Sequence, residues 1–240
     1  MELNDMIPRR RSVRKYDQEP VSEQILAQIR DFCRTARPLY PNIRTEARLV
    51  SKEDVRFYFP WKAPHLLAIY SENKPCYLEN VGFVFQQVDL YLQSLGLGSC
   101  WMGLGKLRSP EEPPEGMDFV ILLAFGHTEG EFYRTALSDF QRNPPEKIAD
   151  YADQRLEPAR LAPSSTNSQP WFFIHDGDTI HAYRNEQGLL RHKMLGTMNQ
   201  IDMGIALAHL YLANTQSFRF FHADTPVQLS GYSYTGSFTI

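Results

Sequence analysis

Apolar positions recur with helical period at Ile25, Leu26, Ile29, Phe32 and Cys33, directly after Val21-Ser22-Glu23, where Ser22 is placed to cap the helix. The predicted helix stops before Pro38. Residues 46–50 and 65–70 read as strands, the second short and apolar enough to be central. From Leu78 to Leu95 the period is helical again, with Val81, Val84, Phe85, Val88, Leu92 and Leu95 on one broad face, and Gly96 and Gly98 terminate the helix. Residues 117–125 read as a buried strand.

The second half is expected to repeat this order. A polar-faced helix is predicted over 146–160, with Ile148, Tyr151 and Leu156 apolar. Residues 171–174 and 179–183, joined through Asp176-Gly177-Asp178, read as a hairpin. A long helix follows over 198–213, with Ile201, Ile205, Leu207, Ala208 and Leu212 apolar, and strands over 218–221 and 227–233 close the chain. The repeat also shows in residues, because Val88-Asp89-Leu90-Tyr91-Leu92 matches Ala208-His209-Leu210-Tyr211-Leu212 at a shift of 120. The join is placed at 138–145, where Asn143-Pro144-Pro145 cannot continue a helix, which gives two lobes, 1–140 and 141–240.

Composition narrows the class. The 240 residues suffice for a substantial core, and a net charge of −3 gives no general attraction to nucleic acid or anionic membranes. The longest apolar runs are strand-length, and the first residues carry acids and no continuous apolar stretch, so neither a membrane span nor a signal peptide is expected. Three cysteines, Cys33, Cys76 and Cys100, are odd in number and widely spaced, which argues against a disulfide framework and fits a reducing cytoplasm. The seven histidines show no metal-ligand spacing.

Positive charge is concentrated in Arg10-Arg11-Ser12-Val13-Arg14, where guanidinium forks and a hydroxyl suit phosphate oxygens. On an extended arm Arg14 points the same way as Ser12. In the second half, Ala162-Pro163-Ser164-Ser165-Thr166-Asn167-Ser168-Gln169-Pro170-Trp171 forms a turn: Pro163 stops a helix, Ser164, Ser165 and Asn167 present short polar groups, and Pro170 forces Gln169 into an extended conformation. An ordinary solvated tail and an ordinary helix-to-strand loop are the plain alternatives.

Together the two segments resemble the flavin-binding motifs of the nitroreductase family, strongest at residues 8–30 and 158–174. The resemblance implies an α+β nitroreductase-like fold, a mainly antiparallel sheet with surrounding helices, in two pseudo-repeated lobes. It implies one FMN per chain in the cleft between them, held by Arg10, Arg11, Ser12, Arg14, Pro163, Ser164, Ser165 and Asn167. Arg14 beside the ring's N1/O2 edge would favour the reduced anion. By the same resemblance Ser99-Cys100-Trp101-Met102-Gly103-Leu104-Gly105 stands over the reactive edge, bringing in Trp101, Met102, Gly103 and Leu104. The plain alternative for that stretch is a helix C-terminal loop with a packing Trp. Arg134 stands where the family carries a second phosphate-binding cation. Arg56 and Lys62 are looser candidates for the pyrimidine edge.

The departures are informative. Where the turn would recur in the first half the chain has Arg37-Pro38-Leu39-Tyr40-Pro41-Asn42, and where the arm would recur in the second it has Gln141-Arg142-Asn143-Pro144-Pro145. One complementary pair survives, implying one working site, with a monomer sufficient to build it. The activity implied is ping-pong hydride transfer from NADH or NADPH to an acceptor such as a nitroaromatic or quinone, with no indispensable acid/base side chain. The rivals are a flavin-binding storage, sensing or partner-dependent protein, and a cofactor-free interaction protein.

Overall fold

The computed structural model describes residues 2–56, 63–108, 112–186 and 189–240, the side chains of 189–195 apart. A 3-10 turn, Leu3–Met6, leads into the extended arm and then α1 (Glu23–Thr35), β1 (Thr45–Val50), β2 (Val55–Arg56), β3 (His65–Ser71), α2 (Tyr77–Ser94), β4 (Gly98–Met102), β5 (Lys106–Leu107) and β6 (Asp118–Gly126). The second half carries α3 (Glu157–Leu161), β7 (Trp171–Asp176), β8 (Thr179–Asn185), α4 (Leu189–Ala213), β9 (Arg219–Phe221) and β10 (Tyr232–Thr239). The fold is α+β with antiparallel strand pairing. Its strands form two four-stranded sheets, β1-β3-β6-β4 and β7-β8-β10-β9, and a small ribbon of β2 with β5. In both four-stranded sheets the third strand in chain order lies on the edge and the fourth inside. None of the described helices is long and apolar enough to cross a membrane.

Helices α2 and α4 pack against each other at the centre. Residues 78–90 of α2 are all buried, so the helix is enclosed on every side rather than along one face. Two glycines set the crossing. A Cβ on Gly82 would lie 2.0 Å from the Ile201 carbonyl oxygen, and one on Gly204 would lie 1.9 Å from that of Glu79. The backbones therefore touch where only hydrogen fits. The two contacts are the same contact shifted by 122 residues: Gly82, Glu79 and Phe83 become Gly204, Ile201 and Ile205. Under that shift Asn80, which accepts the Tyr40 N–H, falls on Asp202, which accepts the Ser165 N–H. Gln87, which donates to the Arg37 carbonyl, falls on His209, which bonds the Pro158 carbonyl. The helix match read from the sequence at 120 is thus out of register by two residues.

Ser22 caps α1 as expected, accepting from the Ile25 N–H at 3.4 Å. Four expectations are corrected. The continuous helix over 146–160 is instead a 3-10 turn Pro145–Lys147, an extended stretch that bridges β7 at Ala149, a second 3-10 turn Gln154–Leu156, and short α3. Asp150 and Asp153 bond to His175, and the Asp153 side chain caps the second 3-10 turn. The segment read as a loop before Gly103 is strand β4, paired with β6. Helix α4 begins at Leu189, nine residues earlier than expected. The final strand runs over Tyr232–Thr239 rather than 227–233, because Gly231 turns the chain at φ +79 and a register shift before Gly236 hides the two-residue period.

Candidate functional site

The basic arm is built as an added strand. Val13 N–H donates to the Ser99 carbonyl at 2.9 Å, so the arm lies parallel beside β4, whose other edge pairs with β6. Two residues earlier the Gln93 side-chain amide completes the pairing, accepting from Arg11 N–H and donating to the Arg11 carbonyl, both at 3.0 Å. Arg10 is 1% exposed, and its Nε donates to Asp89 Oδ2 at 2.7 Å while Nη2 reaches Ser12 Oγ at 3.0 Å. Ser99 Oγ donates to the other Asp89 oxygen at 2.6 Å. The chain of bonds continues through Gln86 Nε2 to His209 Nε2 at 3.0 Å, and from His209 Nδ1 to the Pro158 carbonyl at 2.9 Å. A carbonyl only accepts, so the proton sits on Nδ1. Burial holds the His209 pKa down to about 3.

The turn is stiff for its own reasons. Thr166, Asn167 and Gln169 all have φ between +47 and +59, in the left-handed region, so Gln169 is not extended as expected before Pro170. Ser164 Oγ accepts the Gln169 N–H at 2.9 Å, and both oxygens of Asp202 accept the Ser165 N–H at 3.0–3.1 Å. Asp202 lies in the middle of apolar α4, and burial raises its pKa to about 8 against the smaller lowering by the Ser165 and Ser168 donors.

Arm and turn line one cleft of about 760 Å³. The arm contributes Arg10, Arg11, Ser12 and Arg14, and the turn contributes Pro163, Ser164, Thr166 and Asn167. Between them the connecting segment adds Tyr133, Arg134, Thr135, Asp139, Gln141 and Arg142. Five arginines and one carboxylate therefore face a shared space. Arg134 donates to the Arg10 carbonyl and lies 4.1 Å over the Phe140 ring, with Arg142 5.5 Å from the same ring. Each is pushed down to about 10, first by burial and then by neighbouring arginines: Arg10 and Arg11 for Arg134, Arg10, Arg134 and Arg160 for Arg142. Such crowding of cations is relieved by an anion.

Of the residues expected from sequence, Arg10, Arg11, Ser12, Arg14, Arg134, Pro163, Ser164 and Asn167 come together here. Ser165 is not part of the lining, and its backbone N–H donates to Asp202. Trp101, Met102, Gly103 and Leu104 are elsewhere: Trp101 Nε1 donates to Gln86, Met102 is in a core cluster, Gly103 lies against Met198, and Leu104 is exposed. Arg56 is exposed in the β2–β5 ribbon, and Lys62 lies outside the described residues. Among residues not anticipated, Arg142 matters most. It lies in the segment 141–145, where the sequence reading looked for a second arm and found none, and only that position hinted at a role. No group of three or more His, Cys, Asp or Glu suited to a metal occurs among the described residues.

A family model described as "Putative TM nitroreductase" matches residues 2–214. Among solved structures, a putative nitroreductase from Thermotoga maritima aligns with a TM-score of 0.66 at 21% identity, covering 99% of this chain and 92% of that one. This likeness shows the fold. A nitroreductase with bound FMN from Desulfitobacterium hafniense aligns at 17% identity and a TM-score of 0.48, over 64% of this chain and 100% of its own. An FMN-dependent nitroreductase from Clostridium difficile aligns at 18% and 0.44, over 56% and 93%. No curated protein matches the chain. With a matching model spanning nearly its whole length and a shared fold, the chain belongs to the TM nitroreductase family.

Proposed function

We propose that this protein is an FMN-dependent oxidoreductase that passes hydride from NADH or NADPH to an oxidised acceptor such as a nitroaromatic or quinone by a ping-pong mechanism. Family membership supports an oxidoreductase. The observation that carries the flavin is the single cleft joining the arginine arm of one half to the Ser/Asn turn of the other. The site fits the phosphate end of the cofactor: arginine donors converge there, and the buried Nε of Arg142 has no partner. Arg11, Arg14 and Arg134 would hold the phosphate, with Ser12, Ser164 and Asn167 along the ribityl chain. When bound, the flavin supplies the hydride acceptor and donor. The protein supplies position and fixed charge: Asp89 and Gln93 hold the arm, and Asp202 holds the turn.

The equal strand orders and the shift of 122 in the α2–α4 crossing support a chain that stands in for a dimer, with lobes 1–140 and 141–240 and one FMN per chain. On this reading a monomer suffices and the working compartment is the cytoplasm. The test is a visible spectrum of pure protein with flavin counted per chain, followed by anaerobic NADH or NADPH. One flavin per chain that bleaches is expected; colourless protein that takes up no flavin defeats the reading.

A second reading, a flavin-binding storage, sensing or partner-dependent protein without general reductase activity, is favoured by one observation. Trp101 to Leu104, expected over the reactive edge, lie outside the cleft lining. Flavin that is bound but stays oxidised under both nicotinamides would decide for it.

A further inference from the structure

We propose that Arg142 is an anion-binding residue of the cleft, supplied by the second half of the chain, and that it selects a phosphorylated ligand over its unphosphorylated counterpart. This inference rests on reading the cleft as a phosphate site. Arg142 lies at the second half's counterpart of the arm yet lines the same space as Arg11 and Arg14. Its Nη1 donates to Asn167 Oδ1 at 2.6 Å and its Nη2 to the Leu161 carbonyl at 3.3 Å, which locks the guanidinium onto the turn. Asn167 in turn donates to the Gln141 carbonyl at 2.8 Å, so turn and residue form one rigid wall. The third donor, Nε, is buried without a partner. A buried N–H left unpaired carries a desolvation cost, and a guanidinium gathered with four others carries a repulsion. Among the described residues no carboxylate is bonded to it. One phosphoryl oxygen would answer both.

Arg142 would join Arg11, Arg14 and Arg134 in setting the charge of the ligand, and two of the neighbouring arginines are partly committed elsewhere. Arg10 is already neutralised by Asp89, and Arg134 is spent partly on the Arg10 carbonyl. Bonded to Asn167, Arg142 sets a charge beside the turn, whose lining residues Pro163, Ser164, Thr166 and Asn167 are all neutral.

The experiment measures FMN, riboflavin and inorganic phosphate binding by calorimetry to the flavin-free full chain, in the wild type and in Arg142→Gln, Arg142→Lys and Arg160→Gln. Arg160, paired with Glu157 outside the cleft lining, is the control. We expect Arg142→Gln to weaken FMN about tenfold to a hundredfold, the worth of a bond to a charged group. Phosphate should fall with it while riboflavin changes little, Arg142→Lys should lose less, and Arg160→Gln should match the wild type. FMN and riboflavin weakening in step, or FMN and phosphate both unchanged, overturns the assignment. Wild-type protein that binds phosphate but no flavin defeats the flavin reading alone, and the phosphate comparison then decides Arg142. Wild-type protein that binds neither overturns both.

Discussion

Asp89 gives one oxygen to Arg10 and the other to Ser99, deep in α2, and so fixes the direction of the whole arm. Replacing Asp89 with Ala would leave Arg10 buried and uncompensated, at a cost of about 3–5 kcal/mol measurable by urea unfolding. A loss no larger than that of an exposed pair would remove this role. Asp202 behaves differently. Its folded pKa of about 8 lies above the unfolded value of about 3.9, so the native state holds the extra proton. Its contribution is full below the unfolded value and is lost as pH rises through about 8. Asp202→Asn, which still offers Ser165 an acceptor, should gain on the wild type between pH 5 and pH 8, by at most about 4 kcal/mol. Melting curves at several pH values would show it; parallel curves would refute it. For His209 the sign is reversed: its folded pKa of about 3 lies below the unfolded value of about 6.5, so its stabilisation is present above that and declines in acid. The arginines of the arm were legible in the sequence because phosphate chemistry names its residue types. Asp89 and Gln93 were not, since a polar residue in a helix reads as surface until the helix is known to be enclosed.

Among the elements, α2 and α4 carry the design. A glycine inside a helix costs about 1 kcal/mol relative to alanine, yet here alanine would drive a methyl into a carbonyl oxygen of the partner helix. Gly82→Ala and Gly204→Ala should therefore destabilise by about 3 kcal/mol or more, with the sign opposite to helix propensity. Calorimetric melting checks this, and any rise in Tm would show that the helices can separate at little cost. The elements with regular apolar period were legible: α1, β1, β3, α2, β6 and the β7–β8 hairpin stand close to where the pattern put them. Those that were misread lack such a period. The stretch before α3 is held by carboxylate–histidine bonds rather than by a face. Strand β10 carries Ser, Thr and Gly, with the Phe220 ring filling the space at Gly236. Strand β4 is short and starts on the second of two glycines, Gly96 and Gly98, that look like a loop. The motif residues of the turn were readable, but its geometry depends on Asp202, 37 residues beyond Ser165.

For the whole molecule, a net charge of −3 coexists with a cleft bearing five arginines, so ligand attraction is local. Binding of an anionic ligand should weaken as salt rises, whereas riboflavin should respond little; equal salt dependence for FMN and riboflavin would speak against the cleft as the phosphate site. The equal strand order of the two sheets was legible only in outline, and the sequence match pointed to a shift two residues short of the 122 seen where α2 crosses α4. The arm has one further effect. Strand β4 is the end of its sheet, and its outer backbone groups meet Val13 rather than solvent. Met6 and Ile7 cover Leu90 and Leu161 just behind. A shortened protein starting at Tyr16 would bare that rim and the apolar surface beneath it, and bared rims recruit strands from other molecules. The leading fifteen residues thus double as a guard against aggregation, and light scattering of the shortened form against the full chain would reveal it.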